Sequence, residues 1–356
     1  VTRRAAIIVL DGVGIGPAQD AHLYHDQGSD TLGNVARAVS GLSLPQLEAL
    51  GLGRCADLKG VSPVKKPRAA FGVCEPASPG KDSTTGHWEI CGLVLEQPFP
   101  TYPEGFPQTL IDQFARRTGR GVLGNRASSG TAVLEAHGPE HCRTGKWIVY
   151  TSADSVFQVA AHESTVPLEE LYAACRLARD LLQGEHGVSR VIARPFTGEP
   201  GHWQRTPNRR DFSLPPPGTT LLDRLAEAGI PRMGVGKVDD LFAGRNISSQ
   251  HTGTNREAYA LIGKVLDTMG EGLLLANVIE FDQTWGHRND VPGFQAGLEE
   301  LDRTLPSLLL PVREQDLVIF TADHGNDPTT PSTDHSREVV PLLVIGHRVR
   351  PVDLGR

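Results

Sequence analysis

The chain opens on a short apolar run, Ala5–Leu10, rich in β-branched residues and closed by Asp11. Similar runs recur at Leu273–Ile279, Leu317–Phe320 and Val339–Ile345. Continuous apolar runs of this length predict strands buried on both faces. Between or before them lie segments with helical spacing: Leu32–Val39, Leu44–Leu50, Thr220–Ala228, Asn255–Met269 and Gly293–Leu310. Strands alternating with helices predict βαβ units and a mostly parallel sheet. The middle of the chain has a different texture. There Gly105–Arg117, Pro167–Leu182 and a strand-like Ser189–Ala193 sit between two proline-rich stretches, Gln97–Pro107 and Pro207–Pro217. Such stretches mark linkers. The pattern therefore predicts a smaller α/β domain, residues 98–216, inserted into a discontinuous core of residues 1–97 and 217–356. No internal repeat is visible.

Composition narrows the function classes. A chain of 356 residues has room for two domains. Lysine plus arginine is 35 against 42 aspartates and glutamates, a net charge of −7. That balance gives no electrostatic reason to expect a nucleic-acid or membrane partner. No apolar stretch approaches the ~20 residues of a membrane span. The basic start before Ala5 has a faint likeness to a signal peptide. But the apolar run is short, and Asp11 stands where a small-residue cleavage site belongs. It reads as a first buried strand. Five cysteines (Cys55, Cys74, Cys91, Cys142 and Cys175) lack any Cys-x-x-Cys spacing. They predict neither a disulfide framework nor a zinc knuckle, and a reducing, cytoplasmic setting.

The 13 histidines are the compositional excess that points to chemistry. Ligands of open parallel sheets gather at the carboxyl ends of the strands. Asp11 ends the first run, ahead of a GVGIG whose glycine spacing does not fit a dinucleotide fingerprint. Alone it reads more readily as a turn residue. Asp282 and His287 follow the run ending near Glu280, in FDQTWGHRND. Asp323, His324 and His335 follow Leu317–Phe320, in TADHGNDPTTPSTDHSRE. Each histidine alone reads equally well as a loop residue. Together the set is enough to hold two divalent metals. Mixed Asp/His ligation suits zinc or manganese, whereas all-oxygen sites favour magnesium or calcium.

Two metals about 4 Å apart clamp the attacking and leaving oxygens of phosphoryl transfer. Their charge also activates a serine or threonine hydroxyl. The run GKDSTTGHWEI offers Ser83, Thr84 and Thr85 at the start of a segment with helical potential. A helix N-terminus favours a phosphate. The same run also reads as an ordinary N-cap at Asp82 or Ser83, and the two readings are compatible. Cations suited to a phosphate stand at Arg190, Arg194, Arg205, Arg209, Arg210 and Lys237.

These strings resemble the phosphopentomutases of the alkaline phosphatase superfamily. The similarity is carried by DGVGIG, GSDTLGN, GKDSTTGHWEI, YTSADSVFQVAAHE, RVIARPF, RTPNRRDFSL, VGKVDDLFAG, FDQTWGHRND and TADHGNDPTTPSTDHSRE, in the family's order. The resemblance implies an alkaline-phosphatase-like core, with a mostly parallel sheet flanked by helices, plus an inserted α/β cap. It implies two manganese ions held by Asp11, Asp282, His287, Asp323, His324 and His335. The family's phosphorylated nucleophile is a threonine directly after Gly-Lys-Asp, a place held here by Ser83. Serine keeps the hydroxyl but loses the methyl that restrains χ1, which favours looser positioning or hydrolysis. The resemblance further implies sugar-phosphate contacts from Ser152, Asp154, Arg190, Ile192, Arg205 and Lys237. The family usually continues past Arg356 with a final helical stretch. The implied reaction interconverts ribose 1-phosphate and ribose 5-phosphate, and the deoxyribose pair. It is primed by a sugar bisphosphate, and its partners are small sugar phosphates. The oligomeric state stays open. A metal-dependent phosphomonoesterase is the alternative. A cofactor-independent phosphoglycerate mutase and a non-catalytic sugar-phosphate binder follow behind it.

Overall fold

A computed structural model gives the structure of the chain and describes residues 3–152 and 154–356. The chain forms two compact units, Val1–Gln97 with Pro216–Arg356, and Pro98–Pro215. In chain order the strands are β1 (Arg4–Leu10) and β2 (Ala70–Cys74) before the inserted unit. Within it come β3 (Val122–Ala127), β4 (Trp147–Thr151), β5 (Val156–His162), β6 (Arg190–Thr197), β7 (Gln204–Arg205) and β8 (Arg210–Ser213). After it come β9 (Arg232–Val235), β10 (Ser249–Gln250), β11 (Gly272–Val278), β12 (Leu317–Thr321) and β13 (Val340–Ile345).

The discontinuous unit is built on a seven-stranded sheet in the order β10-β9-β11-β1-β12-β13-β2. The five strands from β10 to β12 run parallel. β13 is antiparallel to both β12 and β2. The physical reason lies in the connection: a loop, not a crossover helix, joins β12 to β13, and such a return places the next strand antiparallel. β1 lies at the centre, with Ile8 and Val9 on its two faces and both fully buried. On the Ile8 side, helices Asn255–Thr268 and Val291–Leu309 bury Ile262, Leu266, Leu298, Leu301 and Leu305 against β1, β11 and β12. The other side carries the helix Ser83–Ile90, with Trp88 fully buried and its indole N–H donating to the Leu241 carbonyl. A cavity of about 550 Å³ lies beside this helix, lined by Thr85, Gly86 and Ile90 together with Ile7, Val73, Ile319 and Leu342 of the sheet.

The inserted unit is a mixed sheet, β3-β4-β5-β6-β7, with β8 also paired to β6. Helices Gln108–Thr118 and Leu168–Leu181 bury Phe114, Leu171 and Cys175 against Trp147, Val149, Phe157 and Val191 on one face. Helix Gly130–Thr144 covers Ile148, Tyr150 and Ala160 on the other. Among the described residues no helix is long and apolar enough to cross a membrane.

The apolar runs read from the sequence became β1, β11, β12 and β13, and the helical segments became helices within a few residues of their expected ends. Strands β3 to β5 and the helix Gly130–Thr144 were not visible in the pattern. That helix contains Gly138 and Pro139, which argue locally against it. Packing overrides them, since a side chain at 138 would meet the Trp203 ring at 2.7 Å.

One buried ion pair anchors the start of β1. The Arg4 guanidinium donates to both Asp316 oxygens and to the carbonyls of Leu266, Met269 and Pro311. Both side chains are nearly inaccessible. Removing one partner leaves the other charged and unpaired. Arg4→Met is expected to lower the free energy of unfolding by about 3–5 kcal/mol, read from the urea midpoint. An unchanged midpoint would refute the assignment of Arg4 as an anchor.

Candidate active site

The site stands at the carboxyl ends of β1, β11 and β12, where the strand pattern placed it. β1 ends at Leu10, so Asp11 projects from its tip, fully buried. The next residue turns sharply. Gly12 has φ +79°, and a Cβ there would press on Asn326 at 3.0 Å and Asp282 at 3.3 Å. Asp282 lies in the turn of helix Phe281–Trp285 after β11, and His287 in the following turn. Asp323 and His324 follow β12, and the chain returns through His335 to β13.

The structure brings these six side chains together. One oxygen or nitrogen from each of Asp282, His287 and His335 lies within 4.8 Å of the others, and the same holds for Asp11, Asp282 and His324. His287 Nε2 is 3.4 Å and His335 Nε2 3.2 Å from the Asp282 carboxylate. His324 Nε2 is 3.4 Å from both Asp11 Oδ1 and Asp323 Oδ2. The Nδ1 atoms of His287 and His324 lie 2.6 and 3.0 Å from the carbonyls of Thr333 and Gly325. A carbonyl only accepts, so these Nδ1 atoms carry hydrogen and each Nε2 is turned into the site. That is the orientation metal-ligating imidazoles take.

The electrostatics favour cations. Asp11 is held well below the usual carboxylate range: burial raises its pKa, but Lys237 and His324 outweigh it. Asp282 is also lowered, with His335 and His324 overriding burial and the Asp11 charge. Burial opposes a charge on His324, yet the surrounding carboxylates, Asp323 foremost, push it up to about 10. Asp323 Oδ1 accepts from the Gly12 N–H, while its buried Oδ2 accepts no hydrogen bond among the described residues. A buried carboxylate oxygen without a donor, beside imidazole nitrogens aimed the same way, fits a divalent cation.

Ser83 opens the helix Ser83–Ile90, whose cap Asp82 accepts from the Thr85 N–H and hydroxyl. The Ser83 hydroxyl lies 3.4 Å from Asp11 Oδ1 and 3.1 Å from His324 Nε2. Thr85 is committed to the cap, and no such contact joins Thr84 to the cluster among the described residues. Gly86 lets the helix approach: a Cβ there would stand 2.3 Å from the Asp323 carbonyl. Lys237, expected at the sugar phosphate, places its ammonium 2.8 Å from Asp11 Oδ2. Ser152, Asp154, Arg190, Ile192 and Arg205 belong to the inserted unit. There the Ser152 hydroxyl accepts from the Asp154 N–H, and Arg190 lies 3.5 Å from Asp211. Ile192 faces Gln158 and Asp211 across β6, and Arg205 pairs with Phe196.

Sequence reasoning missed the groups that orient the cluster. Asn326 donates to Asp282 Oδ1 at 2.8 Å, and buried His87 and Asn277 sit behind Asp11 and Asp323. Glu338, also buried, accepts from the N–H groups of Gly16 and Thr31 and the hydroxyls of Thr31 and Ser336. The signal for Asn326 and Glu338 was proximity to the Asp-His motifs.

Fold and site together define a metalloenzyme, and the Metalloenzyme superfamily matches residues 3–356. Relatives of high identity narrow this further. The phosphopentomutase of Carboxydothermus hydrogenoformans is 55% identical over 355 residues, 99% of this chain and 92% of the relative. That of Dictyoglomus thermophilum is 54% identical over 343 residues, 96% and 88%. That of Thermotoga maritima is 53% identical over 353 residues, 98% and 90%. The chain belongs to the phosphopentomutase family and is an enzyme of the mutase type.

Two expectations follow. Because His324 is protonated near neutral pH without metal, cation binding expels that proton. Affinity is expected to rise about tenfold per pH unit through neutrality, with proton release seen by calorimetry in buffers of different ionisation enthalpy. A flat pH dependence would sink this. Burial pushes Glu338 from 4.5 up to about 7 despite its four donors. Its protonated form therefore favours the folded state, fully below pH 4.5, and that stability is lost as pH rises through about 7. Relative to Glu338→Gln, the metal-free protein is expected to lose about 3 kcal/mol over that window. Parallel stability curves in urea would contradict it.

Proposed function

We propose that this enzyme interconverts ribose 1-phosphate and ribose 5-phosphate, and the deoxyribose pair, through a phosphorylated Ser83 and a sugar bisphosphate. The observation that carries the reading is the Ser83 hydroxyl at a helix N-terminus, within 3.4 Å of Asp11 and His324. Asp11, Asp282, His287, Asp323, His324 and His335 would hold two divalent cations, manganese by resemblance. When bound, such cations supply charge that activates a hydroxyl and stabilises a transferring phosphoryl group.

The chain's own groups do the rest. Phosphorylated Ser83 gives its phosphoryl group to the free hydroxyl of the sugar monophosphate: the Ser83 O–P bond breaks and a sugar O–P bond forms. The bisphosphate turns over, and its other phosphate returns to Ser83. The free N–H groups of the helix face the phosphoryl oxygens. In this reading Ser152, Asp154, Arg190, Ile192, Arg205 and Lys237 hold the sugar phosphate, and the inserted unit serves as a cap that excludes water. The partners are small sugar phosphates, with no nucleic acid and no membrane. The five free thiols accord with a cytoplasmic setting. One observation favours a second reading, metal-dependent phosphomonoesterase activity: Ser83 lacks the methyl of the family's threonine.

The test incubates purified protein with Mn²⁺, ribose 1-phosphate and a trace of ribose bisphosphate, following ribose 5-phosphate and inorganic phosphate together. Isomer without phosphate is expected. Ser83→Ala should lose about four orders of magnitude or more, while Ser83→Thr should keep isomerisation and release less phosphate per isomer. Phosphate as the main product would establish the phosphatase instead.

A further inference from the structure

His87 is fully buried in the helix that carries Ser83, and both of its ring nitrogens are engaged. Nδ1 lies 2.9 Å from the Ser83 carbonyl and 3.2 Å from Asp323 Oδ2. A carbonyl oxygen only accepts, so Nδ1 carries the hydrogen. Nε2 lies 3.2 Å from Asn277 Nδ2. The same amide nitrogen lies 3.2 Å from Asp11 Oδ2. Asp11 only accepts as well, so Asn277 must turn its NH₂ towards it, and the second hydrogen of that NH₂ meets His87 Nε2. The two constraints agree. A ring with hydrogen on Nδ1 and a lone pair on Nε2 suits both the Ser83 carbonyl and the Asn277 amide.

The alternative amide orientation sets Asn277 Oδ1 against the Asp11 carboxylate. In the observed orientation Oδ1 is buried with no hydrogen-bond partner among the described residues. A group left so costs free energy, which the contacts of the NH₂ offset. The result is a continuous bridge from β11 (Asn277) to Asp11, and through His87 to the Ser83 carbonyl, with Asp323 Oδ2 3.2 Å from the same ring. The cavity beside Thr85, Gly86 and Ile90 leaves part of the helix surface without packing against the sheet.

We propose that His87, oriented by Asn277, is a positioning residue that fixes the first turn of the Ser83 helix against the carboxylates Asp11 and Asp323. This rests on the reading of Ser83 as nucleophile. His87 is then neither a metal ligand nor an acid–base group. The consequence is geometric: a displacement of about 1 Å at a reacting group costs on the order of 10²-fold in rate. Transfer to a sugar hydroxyl demands closer alignment than transfer to water, so loosening the helix shifts the partition towards phosphate.

Two measurements test it. In the first, ¹⁵N-histidine-labelled, metal-free protein is compared with His87→Gln to assign the ring, and the tautomer is read from long-range ¹H–¹⁵N correlations. Hydrogen on Nδ1 with an unprotonated Nε2 is expected, changing in Asn277→Leu. Hydrogen on Nε2 in place of Nδ1 overturns the proposal. In the second, Asn277→Leu and His87→Gln are assayed with Mn²⁺ and ribose 1-phosphate. A fall in kcat of about 10- to 100-fold is expected, with KM within threefold and more phosphate released per isomer, less severe in His87→Gln, whose amide restores part of the bridge. Unchanged kcat and partition in both variants overturn it. Should the wild type fail to isomerise ribose 1-phosphate, the mutase reading falls, and the tautomer still decides the bridge. If a variant does not fold, the wild-type tautomer decides alone.

Discussion

Three carboxylates cannot leave water together unless positive charge comes with them. Asp11, Asp282 and the Asp323 side chain are almost wholly buried. Each buried ion costs several kcal/mol before any compensation. The fold accepts this at the one place where three strand ends converge. There the surrounding groups supply what charge they have: the Lys237 ammonium on Asp11, and a His324 whose pKa the carboxylates pull up to about 10. This is a site built around missing positive charge, and most of its other features follow from that imbalance. β1 sits at the centre of the sheet so that its tip is buried, and β12 and β13 are joined by a loop so that His335 comes back to face Asp282.

The groups behind the carboxylates are neutral under the same constraint. Asn326 on Asp282, the Gly12 N–H on Asp323, and Asn277 on Asp11 all donate hydrogen bonds without bringing a full charge. Neutral donors fix the direction of each carboxylate and leave its charge available. Glu338 extends this network outward. It ties the Gly16 turn and the start of helix Thr31–Ala38 to the strand that follows His335. Thr31, held by Glu338, accepts in turn from the Asn326 N–H.

Much of this was legible in the sequence because buried parallel strands are continuous apolar runs, and a polar residue directly after one lies at the carboxyl end of its strand. Asp11, Asp282, Asp323 and His324 were found that way. What was not legible depended on tertiary contact. Asn277 lies inside an apolar strand and reads as an interruption, although its amide is the reason it is there. His87 occupies a helix position that sequence alone assigns to nothing, because Asn277 and Asp323 come from 190 and more positions away. The helix Gly130–Thr144 hid behind Gly138 and Pro139. Lys237 was expected at the sugar phosphate from its charge and from the family resemblance; its contact with Asp11 was not legible.

Ser83 shows how unevenly the site is constrained. Its backbone is fixed on several sides: by the Asp82 cap, by the close approach of Gly86 to the Asp323 carbonyl, and by the His87 contact with its own carbonyl. Its hydroxyl is fixed by none of these. Among the described residues only Asp11 and His324 hold the oxygen, and a serine lacks the methyl that limits a threonine to fewer rotamers. In the proposed reaction Ser83 would receive and return a phosphoryl group each cycle, and so would need the same oxygen position twice. With the methyl absent, that repeatability falls to the two contacts on the oxygen, which makes the electrostatic cluster responsible for alignment as well as activation.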